Sequence, residues 1–282
     1  MAKVLVTGGA GFIGMNLIKQ LVKEGNEVVS LDNYDSGTTD NHIEGVEYID
    51  GDISTIEYIK GDFDYCYHLA AQSRIQPSFE DPTECFRVNV EGTRAVAEWA
   101  RHNKVKVVYA GSSSRWHDPY QSPYACYKHM GEEIFKLYKK VYGLDVEIAR
   151  FYNVYGPGEI VDGDWAAVIG IFRRQVRDGE TITIVGDGEQ RRDFTHVQDI
   201  VSALILIAEG ISVHEDAWEL GTGVNYSINE VYEMFKEKYG AESTYIPDQP
   251  GNYRKTLREN DDTIDRLGWK PEDRLKEYID SL

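Results

Sequence analysis

The sequence has 282 residues, with 30 lysines and arginines against 48 aspartates and glutamates, so its formal net charge is −18 at pH 7. This length is enough for one large α/β domain or two modest ones, and the negative charge disfavours nucleic acids and anionic membranes as partners. No apolar run is long enough to span a bilayer, and the first residues lack the pattern of a secretory signal. The three widely spaced cysteines fit neither a disulfide framework nor a metal site, so we expect a cytoplasmic protein without a bound metal.

Short apolar runs alternate with longer amphipathic segments along the first half of the chain. This alternation is typical of a doubly wound parallel sheet covered by helices, the Rossmann-type α/β fold. The predicted strands span residues 3–7, 27–32, 46–49, 64–69, 105–110 and 145–150. The predicted helices between them span residues 12–24, 83–102 and 123–142.

After Arg150 the pattern changes, and a second, smaller mixed α/β domain is predicted. Turn-forming residues occupy 153–163 and precede a predicted helix over 164–178 and a strand over 181–185. Later helices are predicted over 197–209, 227–239 and 260–267, followed by a last helix after Pro271. We assign residues 1–153 to the Rossmann domain, with 195–223 returning to it, and residues 154–194 and 224–282 to the smaller domain.

A glycine-rich turn follows the first predicted strand. Gly8, Gly11 and Gly14 lead into a helix, and such glycines permit a tight turn and let a pyrophosphate approach the backbone and the helix N-terminus. Such a turn alone can be merely a turn, but the second strand ends at Asp32, where a carboxylate can accept hydrogen bonds from an adenosine ribose. Residues 33–36 contain an acid and no Arg or Lys, which would repel a 2′-phosphate. The pattern therefore predicts NAD rather than NADP.

A second pair of residues follows the fifth predicted strand and its serine turn, Ser112 to Ser114. Tyr124 and Lys128 are four residues apart, so on a helix they share one face, and the ammonium would favour the phenolate form of the tyrosine. A phenolate can act as a general base at neutral pH. In a sequence with 19 tyrosines the pair could be an ordinary surface contact. Its position after the serine turn favours the catalytic interpretation.

With these motifs the sequence resembles the extended short-chain dehydrogenase/reductases, in particular their NAD-dependent nucleotide-sugar epimerase/dehydratase branch and its 4-epimerase-like members. The resemblance covers nearly the whole chain. The further segments on which it rests are Gly51-Asp52-Ile53, His68-Leu69-Ala70-Ala71, Asn89-Val90-Glu91-Gly92-Thr93, Arg150 to Pro157 and Gly186 to Phe194.

The resemblance implies a role for each site residue. Tyr124 would be the acid/base, Ser112 would bind the sugar hydroxyl, and Lys128 would bind the nicotinamide ribose and lower the pKa of Tyr124. Asp52 would meet the adenine. The implied cofactor-binding set is Gly8, Gly11, Phe12, Ile13, Gly14, Asp32, Asn33, Asp52, Ile53, Leu69, Ala70, Ala71, Tyr124 and Lys128. The implied substrate-binding set is Ser112, Ser113, Asn153, Arg192, Arg254 and Thr256, with Asn153 and Arg192 at the diphosphate.

The sequence also departs from the pattern of the family. Tyr124 follows Ser112 by twelve positions, where members usually carry a longer loop, and Arg115-Trp116-His117 replaces the usual residues. The sugar pocket is therefore expected to be rebuilt on that side. The arginine common before the late Pro-Gly is absent, so Arg254 is assigned to the phosphates. Thr256, five positions after Gly251, is small and leaves room for an N-acetyl group.

The same resemblance indicates the reaction. Dehydratases of this branch carry Asp-Glu directly after the position of Ser112, but here Ser113 and Ser114 follow, which disfavours acid-assisted elimination. We therefore predict 4-epimerisation of a nucleotide-diphosphate sugar through a 4-keto intermediate. A 4,6-dehydratase, a reductase and a catalytically silent NAD-sensing protein remain alternatives. The family also implies a homodimer formed through the helices over 83–102 and 123–142.

Overall fold

The computed structural model describes residues 1–210 and 212–282. The strands are β1 (Lys3–Thr7), β2 (Glu27–Asp32), β3 (Glu47–Asp50), β4 (Tyr65–His68), β5 (Lys106–Ser112), β6 (Val146–Phe151), β7 (Asn153–Tyr155), β8 (Ile182–Val185), β9 (Arg191–His196), β10 (Trp218–Leu220), β11 (Asn225–Ser227) and β12 (Ser243–Ile246). The helices are α1 (Phe12–Lys23), α2 (Ile75–Glu80), α3 (Pro82–Phe86), α4 (Thr93–Asn103), α5 (Pro123–Tyr142), α6 (Val168–Arg177), α7 (Val197–Glu209), α8 (Ile228–Tyr239), α9 (Asp262–Leu267) and α10 (Leu275–Ser281).

Within the described residues, the larger unit is a seven-stranded sheet in the order β3-β2-β1-β4-β5-β6-β10. All its strand pairs are parallel. Helices α1 and α7 cover one face, with Trp269 in the same apolar cluster, and α4 and α5 cover the other. The strand order is that of a doubly wound dinucleotide-binding fold, so the predicted Rossmann-type α/β fold is confirmed.

The smaller unit contains two short sheets. Strands β7, β9 and β11 form a mixed sheet, and β8 pairs with β12. Helices α6, α8 and α10 pack around an apolar cluster centred on Phe172, Ile184 and Phe235. Between the two parts of this unit, the chain returns to the large sheet, because β10 pairs with β6 and α7 packs beside α1. The predicted domain boundaries remain a prediction.

Most predicted elements occur with small shifts of their ends, and the differences have local causes. The predicted helix over 83–102 is α3 and α4 joined by a π-helical stretch, Arg87–Gly92. The helix α2 was not predicted. It contains Pro77, and proline is tolerated in a first turn, where its missing N–H would have no partner. Strands β7, β10 and β11 have three residues each, too few for a visible hydrophobic alternation.

Helix α5 begins at a well-defined point because of its capping residues. The Ser122 hydroxyl accepts a hydrogen bond from the Ala125 N–H at 3.1 Å, and Pro123 occupies the first helical position. Gly143, with φ +68°, ends the helix in the left-handed conformation. Tyr124 is thereby fixed in the first turn and Lys128 in the next turn. Among the described helices, none has the length and apolar composition required to cross a membrane.

Candidate active site

A cavity of about 730 Å³ lies at the carboxyl ends of β1, β2, β4 and β5 and continues into the smaller unit. This edge is where open α/β sheets bind their ligands. The predicted site residues that line it are Gly8, Gly11, Phe12, Ile13, Gly14, Asp32, Asn33, Ile53, Leu69, Ala70, Ala71, Ser112, Ser113, Tyr124, Lys128, Asn153, Arg192 and Thr256. The structure therefore brings most of the predicted residues together in one cavity.

The glycine turn forms one end of the cavity. Gly8 has φ +75°, and a Cβ there would lie 2.7 Å from the Ala70 nitrogen, while a Cβ on Gly14 would lie 2.2 Å from the Gly8 oxygen. These close approaches require glycine and hold the start of α1 against β1. Gly11 is the N-cap residue of α1 and provides no side chain to cap the helix. The first backbone amides of α1 are therefore free to bind a pyrophosphate.

Asp32 is fixed beside this turn at the end of β2. Its carboxylate accepts hydrogen bonds from the Ala10 N–H at 2.8 Å and the Tyr34 N–H at 2.9 Å. These contacts hold the carboxylate in the cavity, where its remaining lone pairs can accept bonds from ribose hydroxyls. The glycine turn and this acid together fit the adenosine half of a dinucleotide without a 2′-phosphate.

Asp52 and Arg254 do not line the cavity. The Asp52 carboxylate forms a bidentate pair with Arg87 at 2.7 and 2.9 Å, and hydrogen bonds from Arg87 hold the pKa of Asp52 well below its usual range. Arg254 is exposed and binds both carboxylate oxygens of Asp187 at 2.8 and 2.9 Å. Both side chains are held by these ion pairs and neither lines the cavity, so the structure lends these two assignments no support.

The predicted catalytic residues meet in the middle of the cavity. The Tyr124 hydroxyl donates to the Ser112 Oγ at 3.3 Å, since Ser112 ends β5 and Tyr124 lies in the first turn of α5. The Lys128 ammonium donates to the Ala110 carbonyl at 2.6 Å and lies over the Tyr109 ring. Tyr124 and Ser112 are therefore within reach of the same substrate hydroxyl.

The electrostatics of this group differ from the sequence-based expectation. Burial raises the pKa of Tyr124, and the opposing effects of the Ser112 hydrogen bond and the Arg74 charge do not cancel it. Burial also lowers the pKa of Lys128 to about 8. The Lys128 ammonium donates its hydrogen bond to the Ala110 carbonyl and not to Tyr124. These contacts therefore do not produce the expected lowering of the Tyr124 pKa by Lys128. A positive charge beside Tyr124, such as an oxidised nicotinamide would carry, would lower its pKa and favour the phenolate.

The opposite wall comes from the smaller unit. The Thr256 hydroxyl accepts from the Asn153 amide at 3.1 Å and from the Asp193 N–H at 3.3 Å, which fixes this small side chain at the wall. Arg192 lies on β9 and has no acidic partner among the residues that the structure describes. Burial lowers the pKa of Arg192 to about 10, so the guanidinium is still charged at neutral pH. This charge is suited to an anionic ligand.

Some lining residues were not predicted from the sequence: Arg74, Ser114 and Tyr253. Arg74 follows the end of β4 and donates through Nε to the Trp165 carbonyl at 2.7 Å. Its terminal nitrogens have no hydrogen-bond partner in the described part of the chain. The position of Arg74 just beyond a strand end was the available signal, because residues there face the ligand edge of a parallel sheet. Tyr253 gave no comparable signal in the sequence.

Comparison with known proteins places this geometry in a family. A sequence model of the NAD dependent epimerase/dehydratase family matches residues 4–221. The chain belongs to this family. It is 33% identical over 297 residues to a putative UDP-glucose 4-epimerase of Methanocaldococcus jannaschii, covering 98% of this chain and 95% of that protein.

Solved structures of similar proteins agree with the assignment of this chain to the epimerase/dehydratase family. The UDP-glucose 4-epimerase of Thermotoga maritima with UDP-glucose has a TM-score of 0.92 at 29% identity, covering 99% of this chain and 96% of that chain. The UDP-glucose 4-epimerase of Thermus thermophilus in complex with NAD has a TM-score of 0.90 at 29% identity, covering 99% and 96%. The resemblance inferred from the motifs is confirmed, and NAD is the cofactor.

The residues of this epimerase/dehydratase fit NAD along the length of the cavity. The glycine turn suits the pyrophosphate, Asp32 suits the adenosine ribose, and Lys128 and Tyr124 lie where the nicotinamide half would extend. When bound, NAD supplies an acceptor and donor of a hydride. The acid/base chemistry that accompanies hydride transfer must come from the side chains of the chain itself.

Proposed function

We propose that this epimerase/dehydratase inverts C4 of a nucleotide-diphosphate sugar through a 4-keto intermediate. The observation that carries the proposal is the Tyr124 hydroxyl at 3.3 Å from the Ser112 Oγ, beside Lys128, in one cavity. The residues after Ser112 are Ser113 and Ser114, whose hydroxyls cannot supply the carboxylic acid that elimination requires. The absence of an acid at these two positions favours oxidation and re-reduction of the sugar over loss of water.

In this mechanism Tyr124 takes the proton from the 4-hydroxyl while the sugar carbon is oxidised. Ser112 donates a hydrogen bond to the same oxygen and keeps it aligned with Tyr124. Lys128 is held by the Ala110 carbonyl and adds its positive charge to the site. Tyr124 returns the proton when the carbonyl is reduced from its other face, so the residue is regenerated in each cycle.

Inversion requires the ketose to turn over without leaving the protein. Arg192, with no acidic partner among the described residues, suits the diphosphate, which would then act as the tether during rotation. The small, buried Thr256 at the wall leaves space for a substituent on the sugar. A hexose and an N-acetylhexosamine are therefore both candidate sugars, as their uridine diphosphates.

The experiment is a product analysis with purified protein, NAD and each of UDP-glucose, UDP-galactose and UDP-N-acetylglucosamine. We expect the C4 epimer, detected by NMR, with no deuterium incorporated at carbon from D₂O, because the same hydride returns to the sugar. A 4-keto-6-deoxy sugar would identify a dehydratase. In a parallel incubation with NADH or NADPH in place of NAD, stoichiometric consumption of the reduced cofactor would identify a reductase. Binding of NAD with no turnover of any nucleotide sugar would favour the silent NAD-sensing alternative.

Tyr124→Phe is the control for the catalytic assignment. We expect turnover to fall about 10²- to 10⁴-fold, because the proton carrier is removed. NAD affinity, measured by calorimetry, should stay close to that of the wild type, since the ring remains in place. Near-wild-type turnover in this variant would contradict the role of Tyr124.

A further inference from the structure

The hydroxyl groups of Ser114 and Tyr253 are buried in the cavity, and neither has a hydrogen-bond partner within 3.5 Å among residues 1–210 and 212–282. Ser114 is 4% exposed and Tyr253 is 7% exposed. A buried hydroxyl without a partner lowers stability, so native proteins seldom retain one that serves no purpose. Both groups line the same cavity as Tyr124, where a bound ligand could satisfy them.

Tyr253 is held in place by its neighbours. Its ring stacks on His117 with 4.0 Å between ring centroids and 10° between the planes. Gly251, two residues before it, has φ +77°, and a Cβ there would lie 2.8 Å from the Ile75 side chain. The chain therefore passes close to α2 at this point, and Tyr253 lines the cavity.

His117 lies in the short segment between Ser112 and Tyr124. In this segment Trp116 donates to the Glu219 carboxylate at 3.2 Å and lies against the buried Arg150 guanidinium, which ties the segment down. His117 follows directly and meets the Tyr253 ring. His117 does not itself line the cavity, so it acts by supporting the Tyr253 ring, which does.

Ser114 approaches from β5. Its backbone N–H donates to the Ser112 Oγ at 3.1 Å, so its position is coupled to that of the catalytic serine. Burial raises the pKa of Tyr253 to about 12, and Tyr124 adds to this rise. The neighbouring hydroxyls of Ser122 and Ser114 oppose it, as expected of groups that lie close to the Tyr253 hydroxyl. Ser114, Tyr124 and Tyr253 all line this cavity.

We propose that Tyr253 and Ser114 bind the sugar ring of the nucleotide sugar through hydroxyls of the sugar that do not react. A sugar hydroxyl both donates and accepts, so it can satisfy both orphaned groups. The diphosphate is not the expected ligand, because it requires cations such as Arg192. Tyr253 lines the same cavity as Tyr124, to which the reacting hydroxyl is assigned, and as Thr256. This inference rests on the part of the proposed function that makes a nucleotide sugar the substrate. It does not depend on which reaction the protein catalyses.

The test compares Tyr253→Phe and Ser114→Ala with the wild type by calorimetry in the presence of NAD. Each protein is titrated with UDP, GDP, dTDP and CDP and with the glucose and N-acetylglucosamine derivatives available for each nucleotide. For the nucleotide that binds best, we expect each variant to lose about three- to tenfold in affinity for the sugar derivative. Affinity for the free diphosphate should not change. Phe keeps the stack on His117, and Ala keeps the Ser114 backbone contact.

Thermal unfolding without ligand supplies a second measurement. Each variant removes an unsatisfied buried hydroxyl, so its melting temperature should equal or exceed that of the wild type. The matched control is Tyr155→Phe, which removes a buried, unpartnered hydroxyl outside the cavity. This control should show the same trend in stability with no change in affinity for the sugar derivative.

Equal losses for the free diphosphate and its sugar derivative would overturn the proposal, as would unchanged affinity in both variants. A fall in melting temperature would show that the hydroxyls serve the fold, and it would also overturn the proposal. A wild-type protein that binds no nucleotide sugar would overturn it as well. The 4-epimerase proposal is judged separately by product formation, so binding without turnover would contradict that proposal alone.

Discussion

At the scale of single residues, Lys128 combines a cost to stability with a role in the site. Its ammonium is buried beside the Ala110 carbonyl, and burial lowers its pKa from 10.5 to about 8. Below pH 8 the folded and unfolded states are both protonated, so the folded state carries the full cost of the buried charge. Between about pH 8 and 10.5 only the unfolded state keeps the proton, and stability therefore rises with pH.

Lys128→Met should remove this dependence. We subtract the free energy of unfolding of the variant from that of the wild type, so that the contributions of all other titrating groups cancel. This difference should increase as the pH rises from 8 to 10.5. Urea denaturation at several pH values measures it, in the absence of nucleotides. Lys140→Met, on the exposed side of the same helix, should follow the wild type. A pH-independent difference for Lys128→Met would contradict the burial of its charge.

Thr256 is the residue that we expect to set the size of the sugar. Its side chain is 5% exposed and is fixed by Asn153 and the Asp193 backbone. In Thr256→Tyr the larger ring should reduce kcat/KM for UDP-N-acetylglucosamine about tenfold or more relative to UDP-glucose, because the acetamido group loses its space. Thr256→Ser keeps the hydroxyl and should preserve the wild-type ratio. If Thr256→Tyr leaves this ratio unchanged, Thr256 does not contact the sugar.

At the scale of elements, the start of α5 connects helix capping with activity. Ser122→Ala should cost about 1 kcal/mol of stability, because the Ala125 N–H loses its acceptor. Since Tyr124 lies in that first turn, turnover should also fall at temperatures where the variant is fully folded. Steady-state kinetics and thermal unfolding measure the two effects.

Ser227 provides a matched control for this prediction. It caps α8 in a capping box with Glu230 and carries no predicted catalytic residue in its first turn. Ser227→Ala should lose similar stability and keep its turnover. Equal activity losses in the two variants would show that the effect at Ser122 is not specific to the position of Tyr124.

The elements also show what could be predicted from the sequence. Strands such as β1 and β5 are continuous apolar runs, and α5 has a serine cap, a proline and a terminal glycine, so their bounds follow from local chemistry. The orientation of side chains in loops, in contrast, does not follow from the local sequence. Arg254 and Thr256 are two residues apart, yet Thr256 lines the cavity while Arg254 reaches Asp187. Tyr253 faces the cavity because of His117 and Gly251, which are distant from each other in sequence.

At the scale of the whole molecule, an apolar stripe on α5 supports the predicted homodimer. Met130, Leu137 and Val141 are exposed, and Ile134 lies between them at helical spacing. We expect light scattering to give the mass of a dimer, and Leu137→Glu combined with Val141→Glu to give that of a monomer. Leu206→Glu, at an exposed leucine on α7 across the sheet, should remain dimeric. A wild-type monomer would contradict the prediction.

The position of β10 in the chain has a consequence for biosynthesis. Residues Trp218–Leu220 complete the large sheet by pairing with β6, although β6 ends at Phe151. During translation, β6 is therefore an open edge with unpaired backbone groups until most of the chain has left the ribosome. Such an edge can pair with another nascent chain. The nascent protein is expected to depend on chaperones in this interval, and a shortened chain that stops before β10 should aggregate rather than accumulate as a separate NAD-binding fragment.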